Sequence, residues 1–128
     1  MFRRFNKYGR KKVTDIAGRR FDSKLEHSVF QILLLHEKAG LITDIVQQVT
    51  IDLISGIRYR PDFQVFDKEL NDIVYVEAKG LNTDVWSLKL KLYRDFGIKR
   101  LRLYKGTHKS PKLVEEIIPK GLITCQGV

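Results

Sequence analysis

The stretch from Arg58 to Gly80 constrains the fold of this chain more than any other. Arg58-Tyr59-Arg60-Pro61-Asp62-Phe63-Gln64-Val65-Phe66 and Ile73-Val74-Tyr75-Val76-Glu77-Ala78-Lys79-Gly80 are rich in aromatic and β-branched residues. Between them lies the polar segment Asp67-Lys68-Glu69-Leu70-Asn71-Asp72. Two such runs around a turn-forming segment predict an antiparallel hairpin. With Lys68 to Asn71 as the loop, Asp67 pairs with Asp72, Val65 with Val74 and Asp62 with Glu77.

Strand side chains alternate faces with period two. One face of the hairpin then carries Pro61, Phe63, Val65, Val74, Val76 and Ala78, all apolar, and needs a core. The other carries Asp62, Gln64, Tyr75, Glu77 and Lys79, with Phe66 and Ile73 at its loop end. Asp62 and Glu77 would stand opposite each other with Cβ atoms about 4.5–5.5 Å apart. Like charges there are destabilising unless something positive lies between them. A divalent cation with oxygen ligands, such as Mg²⁺, is the simplest answer. Lys79, two residues past Glu77 on the same face, can reach an anion or water held by that cation. The plainer reading is a solvated charged face with an incidental acid pair. Pro61 before Asp62, the apolar neighbours on both strands and a third acid upstream weigh against it.

At 128 residues the chain fits one domain, 1–128, long enough for a core, with a basic N-terminal arm within 1–20. Its net charge of +9 predicts a polyanionic partner, nucleic acid first. An anionic membrane surface is disfavoured, since neither a long basic amphipathic helix nor a lipidation signal is visible. The arm holds Arg3, Arg4, Lys7, Arg10, Lys11 and Lys12 with Phe2, Phe5 and Tyr8 interleaved. It reads as a phosphate-binding arm or as a soluble terminus. A single cysteine, Cys125, fits a reducing compartment, and no apolar run is long enough to span a bilayer. The expected localisation is intracellular and cytoplasmic.

Ser23 with Glu26 has the spacing of a capping box, opening a helix that runs to about Lys38 before Gly40. Leu25, Val29, Ile32, Leu33 and Leu35 or His36 form its apolar stripe. Glu26 is therefore either a cap or a third carboxylate projecting toward the ionisable face of the hairpin. Val46 to Ile54 reads as one strand, turned by Ser55-Gly56 into the Arg58 strand, which makes a three-stranded meander with the hairpin. Gln48 is either a surface residue or close to the site. A second helix, capped by Asn82 or Thr83, runs to Phe96 with Val85, Leu88, Leu92 and Phe96 as its buried stripe. Lys89, Lys91 and Arg94 then lie on an exposed face or on a phosphate-contacting surface. Lys99 to Tyr104 reads as a fourth strand, parallel to its predecessor by a right-handed crossover. Lys105, His108, Lys109 and Lys112 form a second basic cluster, and Lys112 to Ile118 reads as a short last helix. The expected fold class is α/β, a central mixed sheet of about four strands flanked by helices.

Four blocks stand in order on these elements: Asn6-Lys7-Tyr8-Gly9, Phe21-Asp22-Ser23-Lys24-Leu25-Glu26, Pro61-Asp62-Phe63 and Val76-Glu77-Ala78-Lys79-Gly80. In them the chain resembles the PD-(D/E)XK nuclease superfamily, and within it the small phage-encoded endonucleases and Holliday-junction resolvases. The likeness covers roughly residues 6 to 97. It implies a restriction-endonuclease-like core and Mg²⁺-dependent hydrolysis of DNA phosphodiesters, with Mn²⁺ as substitute. Asp62 and Glu77 would ligate the metal with the Ala78 carbonyl, and Glu26 would complete a site for a second metal or hold a metal-bound water. Lys79 would orient the attacking water and stabilise charge at the phosphate. Arg3, Arg4, Lys7, Arg10, Lys11, Lys12, Lys89 and Lys91 are the candidate nucleic-acid contacts. Size and resemblance point to branched or double-stranded DNA read by shape, and cutting both strands of a junction would require a homodimer. Two alternatives remain: a non-catalytic nucleic-acid-binding module, and a nuclease subunit of a larger recombination or packaging complex.

Overall fold

The computed structural model describes residues 12–15 and 17–122. Arg3, Arg4, Lys7, Arg10, Lys11, Cys125 and the Asn6 to Gly9 block lie outside the described residues. In chain order the elements are β1 (Val13–Thr14), β2 (Arg20–Phe21), α1 (Lys24–Lys38), β3 (Ile42–Gln47), β4 (Ile51–Ile54) and β5 (Ile57–Tyr59). They continue with β6 (Phe63–Asp67), β7 (Asp72–Ala78), α2 (Asp84–Phe96), β8 (Arg100–Thr107) and β9 (Ser110–Ile117). The class is mixed α/β. Five strands form the central sheet in the order β3-β6-β7-β8-β9.

The hairpin forms in the expected register. Val65 pairs with Val74 and Asp67 with Asp72, and the Asp67 carboxylate accepts from Leu70 N at 2.8 Å to close the loop. Both faces sort as period-two alternation requires. Phe63, Val65, Val74 and Val76 join Leu25, Val29, Phe30 and Leu33 of α1 in one core. Tyr75 and Ile73, on the opposite face, join Trp86 and Tyr93 of α2 with Leu101, Leu103 and Ile117 in a second core. The ionisable face is thus half covered by aromatic rings rather than open along its length. β7 and β8 are parallel and joined through α2, as the crossover rule requires.

Three expectations are corrected. The strand read from Val46 to Ile54 is two strands, and the run from Arg58 to Phe66 is also two. β3 lies beside β6 in the sheet, whereas β4 and β5 form a separate two-stranded ribbon between them in sequence. The chain leaves the sheet at Gln48, which has φ +54°, and returns at Asp62, whose carbonyl accepts from Gln48 N at 2.9 Å. The turn at Ser55-Gly56, with φ +50° and +77°, is the left-handed pair that a two-residue hairpin loop requires.

The second correction is the face of α2. Val85, Leu88 and Phe96 are 70%, 59% and 41% exposed, while Trp86 and Tyr93 are buried. The helix carries two apolar stripes, and the one with the larger aromatic area went inward. Gly97 ends the helix in tight contact, since a Cβ there would stand 2.7 Å from the Tyr93 carbonyl oxygen and 2.9 Å from its ring.

The third is the C-terminal segment. Residues 112–118 do not form a helix; β9 pairs antiparallel with β8, from Thr107 opposite Ser110 to Leu101 opposite Ile117. Lys112 with Glu115 and Glu116 suits a helix locally, but the unpaired edge of β8 offers a ladder. Gly106, at φ +111°, permits the tight return to Ser110. Glu116 then pairs with Arg102 at 3.1 Å and Glu115 with Arg94 at 2.6 Å. No helix among the described residues is long and apolar enough to cross a membrane.

Candidate active site

The site lies where the central hairpin opens, past its last paired residues Phe63 and Val76. Asp62 is held there by its own side chain, one oxygen accepting from Ala78 N at 2.8 Å. The bond brings Asp62 to β7 beside Glu77, which is only 4% exposed. The Glu77 carboxylate accepts from the Tyr59 hydroxyl, at the root of the β4–β5 ribbon. Lys79 Nζ lies 3.9 Å from the other Glu77 oxygen and 4.7 Å from the centre of the Trp86 ring. Lys79 is half-buried, and its backbone N–H donates to the Tyr104 carbonyl at 2.9 Å, extending the β7–β8 pairing by one residue.

Tyr59, Asp62, Glu77, Lys79 and Trp86 line an open cavity of about 260 Å³, with Asp22, Gln48, Arg60, Thr83, Val85 and Lys89 as its other walls. Arg60 donates to the Gln48 side chain at 3.2 Å, and Gln48 donates to Asp22 at 3.4 Å. Lys89 donates to the Arg58 carbonyl, which ties α2 to the ribbon.

The two central acids repel. Burial pushes the Glu77 carboxyl well above the usual carboxylate range, and the Asp62 charge and a shared hydrogen bond add to it; Lys79 and the Tyr59 hydroxyl pull the other way. Burial also raises Asp62, with the Asp22 charge adding, against the Glu77 hydrogen bond, Ala78 N–H and Lys79. Burial first, and the Glu77 charge second, push the Tyr59 phenol well up, so it stays a donor. Without a cation both carboxyls hold their protons more tightly than a free carboxylate does.

Among the described residues no three His, Cys, Asp or Glu side chains are gathered as a ready metal site. Mg²⁺ needs less from protein, because it binds through one or two carboxylates and keeps several waters. The buried Glu77 carboxyl and the half-buried Asp62 carboxyl, whose mutual repulsion a dication would relieve, are a donor set of suitable chemistry beside the Ala78 backbone carbonyl.

Of the sequence candidates, Asp62, Glu77, Lys79 and Lys89 come together at this cavity; Lys91 and Lys12 are exposed and do not line it. Glu26 does not line it either. Its N–H donates to Ser23 Oγ at 3.0 Å and its carboxylate accepts from Asp22 N at 3.1 Å, the two arms of a cap. The acid facing the cavity from this end of α1 is Asp22. Glu26→Ala, which removes the oxygen that accepts from Asp22 N, should therefore lower unfolding stability by about 1–2 kcal/mol while Mn²⁺ affinity holds, as urea melts and calorimetry would check. Tyr59, Trp86, Asp22 and Arg60 were given no role from sequence. The one available signal was Trp86, the sole tryptophan, in the first turn of the helix after Lys79.

Fold and cavity together define a mixed α/β protein with a pocket at the open end of its hairpin that holds the Asp62–Glu77 pair and the lysines Lys79 and Lys89. A family model described as a protein of unknown function (DUF1064) matches residues 5–115, which include every residue of that pocket, and the chain belongs to this family. A search of curated proteins returns no match.

Proposed function

We propose that this protein is a Mg²⁺-dependent DNA endonuclease with a restriction-endonuclease-like core, selective for branched DNA. The observation that carries the reading is the meeting of Asp62 and Glu77 from adjacent strands with Lys79 beside them. Asp62 and Glu77, with the Ala78 carbonyl, would hold the metal. When bound, it supplies water activation and neutralises charge on the phosphate. Lys79 orients the attacking water and stabilises the developing negative charge. Tyr59 fixes one Glu77 oxygen and leaves the other directed at Lys79. Arg60 and Lys89, on the cavity rim, supply positive charge for the flanking phosphates. Glu26 acts through Asp22, whose backbone it holds.

The reading makes stability in metal-free buffer pH-dependent in a definite direction. Both central acids have raised folded-state pKa values, so the folded protein keeps protons that the unfolded chain releases above about pH 4. Their contribution to stability is therefore lost as pH rises through the raised values. Asp72, held down mainly by its Lys99 hydrogen bond, works oppositely and loses its contribution as pH falls. Glu77→Gln should remove most of the fall on the alkaline side, and Mg²⁺ should offset it in the wild type. Thermal melts across pH, with and without Mg²⁺, check both.

A non-catalytic binding module is the rival, favoured by the absence of a three-side-chain metal cluster among the described residues. Gels with branched and linear DNA plus Mg²⁺ or Mn²⁺ separate the two. Cutting by the wild type that Asp62→Ala and Lys79→Ala lose, with binding retained, supports the nuclease. Equal binding without cutting by any of them supports the module.

A further inference from the structure

We propose that Trp86 is a positioning residue for Lys79, an inference that rests on the nuclease reading above. The β7–β8 pairing holds the Lys79 backbone through its N–H bond to Tyr104, but the long side chain beyond it is flexible. What restrains the ammonium is a ring on one side and a carboxylate on the other: the Trp86 centroid at 4.7 Å and the Glu77 oxygen at 3.9 Å. The negative face of an indole attracts a cation at this range.

The ring is itself fixed. Thr83 caps α2 by accepting from Trp86 N at 3.1 Å, which sets the backbone of the first turn. The Trp86 side chain is buried, with the Tyr59 ring 6.1 Å away. Tyr59 meets Tyr93 edge-on at 5.5 Å and donates to Glu77. The aromatic wall therefore touches both groups that matter, the acid through Tyr59 and the ammonium through Trp86. Trp86 lines the cavity, and in this assignment it acts through Lys79.

Because Trp86 is the only tryptophan, the test can change the charge on its ring almost without changing its shape. Protein made with mono-, di- and trifluorinated tryptophan carries the substitution at this residue alone. Each fluorine weakens the negative ring face. The single-turnover cleavage rate should fall stepwise, to about tenfold below wild type at the end of the series, with KM for DNA and Mn²⁺ affinity unchanged. In metal-free protein, Lys79→Met should shift the Trp86 emission. Equal rates across the series in an enzyme that cuts DNA, or an unmoved emission, would overturn the positioning role alone. A wild type that cuts no DNA with either metal overturns the nuclease reading, and this inference with it.

Discussion

Asp62→Asn is expected to slow DNA cleavage by roughly 10³-fold or more, while the variant melts at a higher temperature than the wild type in metal-free buffer. The two effects have one cause. Asp62 and Glu77 are two acids in a space where burial already disfavours one charge. Asparagine keeps an oxygen for the 2.8 Å bond from Ala78 N and removes the like charge. Relief of that repulsion should stabilise by about 1–2 kcal/mol, which for a domain of this size moves the melting temperature by several degrees. The same change removes half of the paired carboxylate donors proposed for the metal. A residue that costs stability and supplies activity is what a site strained for function predicts. Single-turnover gels and scanning calorimetry on the same preparations would check the opposed signs. A variant that is both less stable and fully active would contradict the account.

Lys79→Ala is the second large effect. It should reduce the chemical step by about 10²–10³-fold while Mn²⁺ still binds and DNA affinity changes little. The residue supplies one ammonium beside Glu77 and packs against Trp86, so its loss leaves the backbone and both carboxylates in place. A further consequence has a defined sign. Lys79 pulls the Glu77 carboxyl down, so without it Glu77 keeps its proton to higher pH. The pH at which the metal occupies half the sites should rise in the variant. Calorimetric Mn²⁺ titrations at several pH values would show the shift, and single-turnover rates at saturating metal would isolate the chemical step.

Much of this arrangement was legible in the sequence because it is local and periodic. The hairpin register follows from Val65, Val74 and the loop after Asp67, since any one-residue slip would turn Phe63 and Val76 out of the core. The α1 cap was legible in Ser23 and Glu26, though whether Glu26 also reached the metal was not. What sequence concealed depended on competition between distant parts. The departure at Gln48 needs a positive φ on a residue with no strong preference for it. α2 offered two apolar faces, and only the ribbon and β8 decide that Trp86 and Tyr93 go inward. β9 is a strand because β8 has an open edge, which no window around Lys112 reveals. Tyr59 was hidden for the same reason as the ribbon: its hydroxyl reaches Glu77 only because β5 has left the sheet.

The central claim is that two acids from neighbouring strands are held together to receive a dication. Crystals grown without divalent metal and then soaked in Mn²⁺ test it most directly. The account predicts an anomalous peak between Asp62 and Glu77, with one oxygen from each and the Ala78 carbonyl among its ligands. Soaked crystals without such a peak would contradict it.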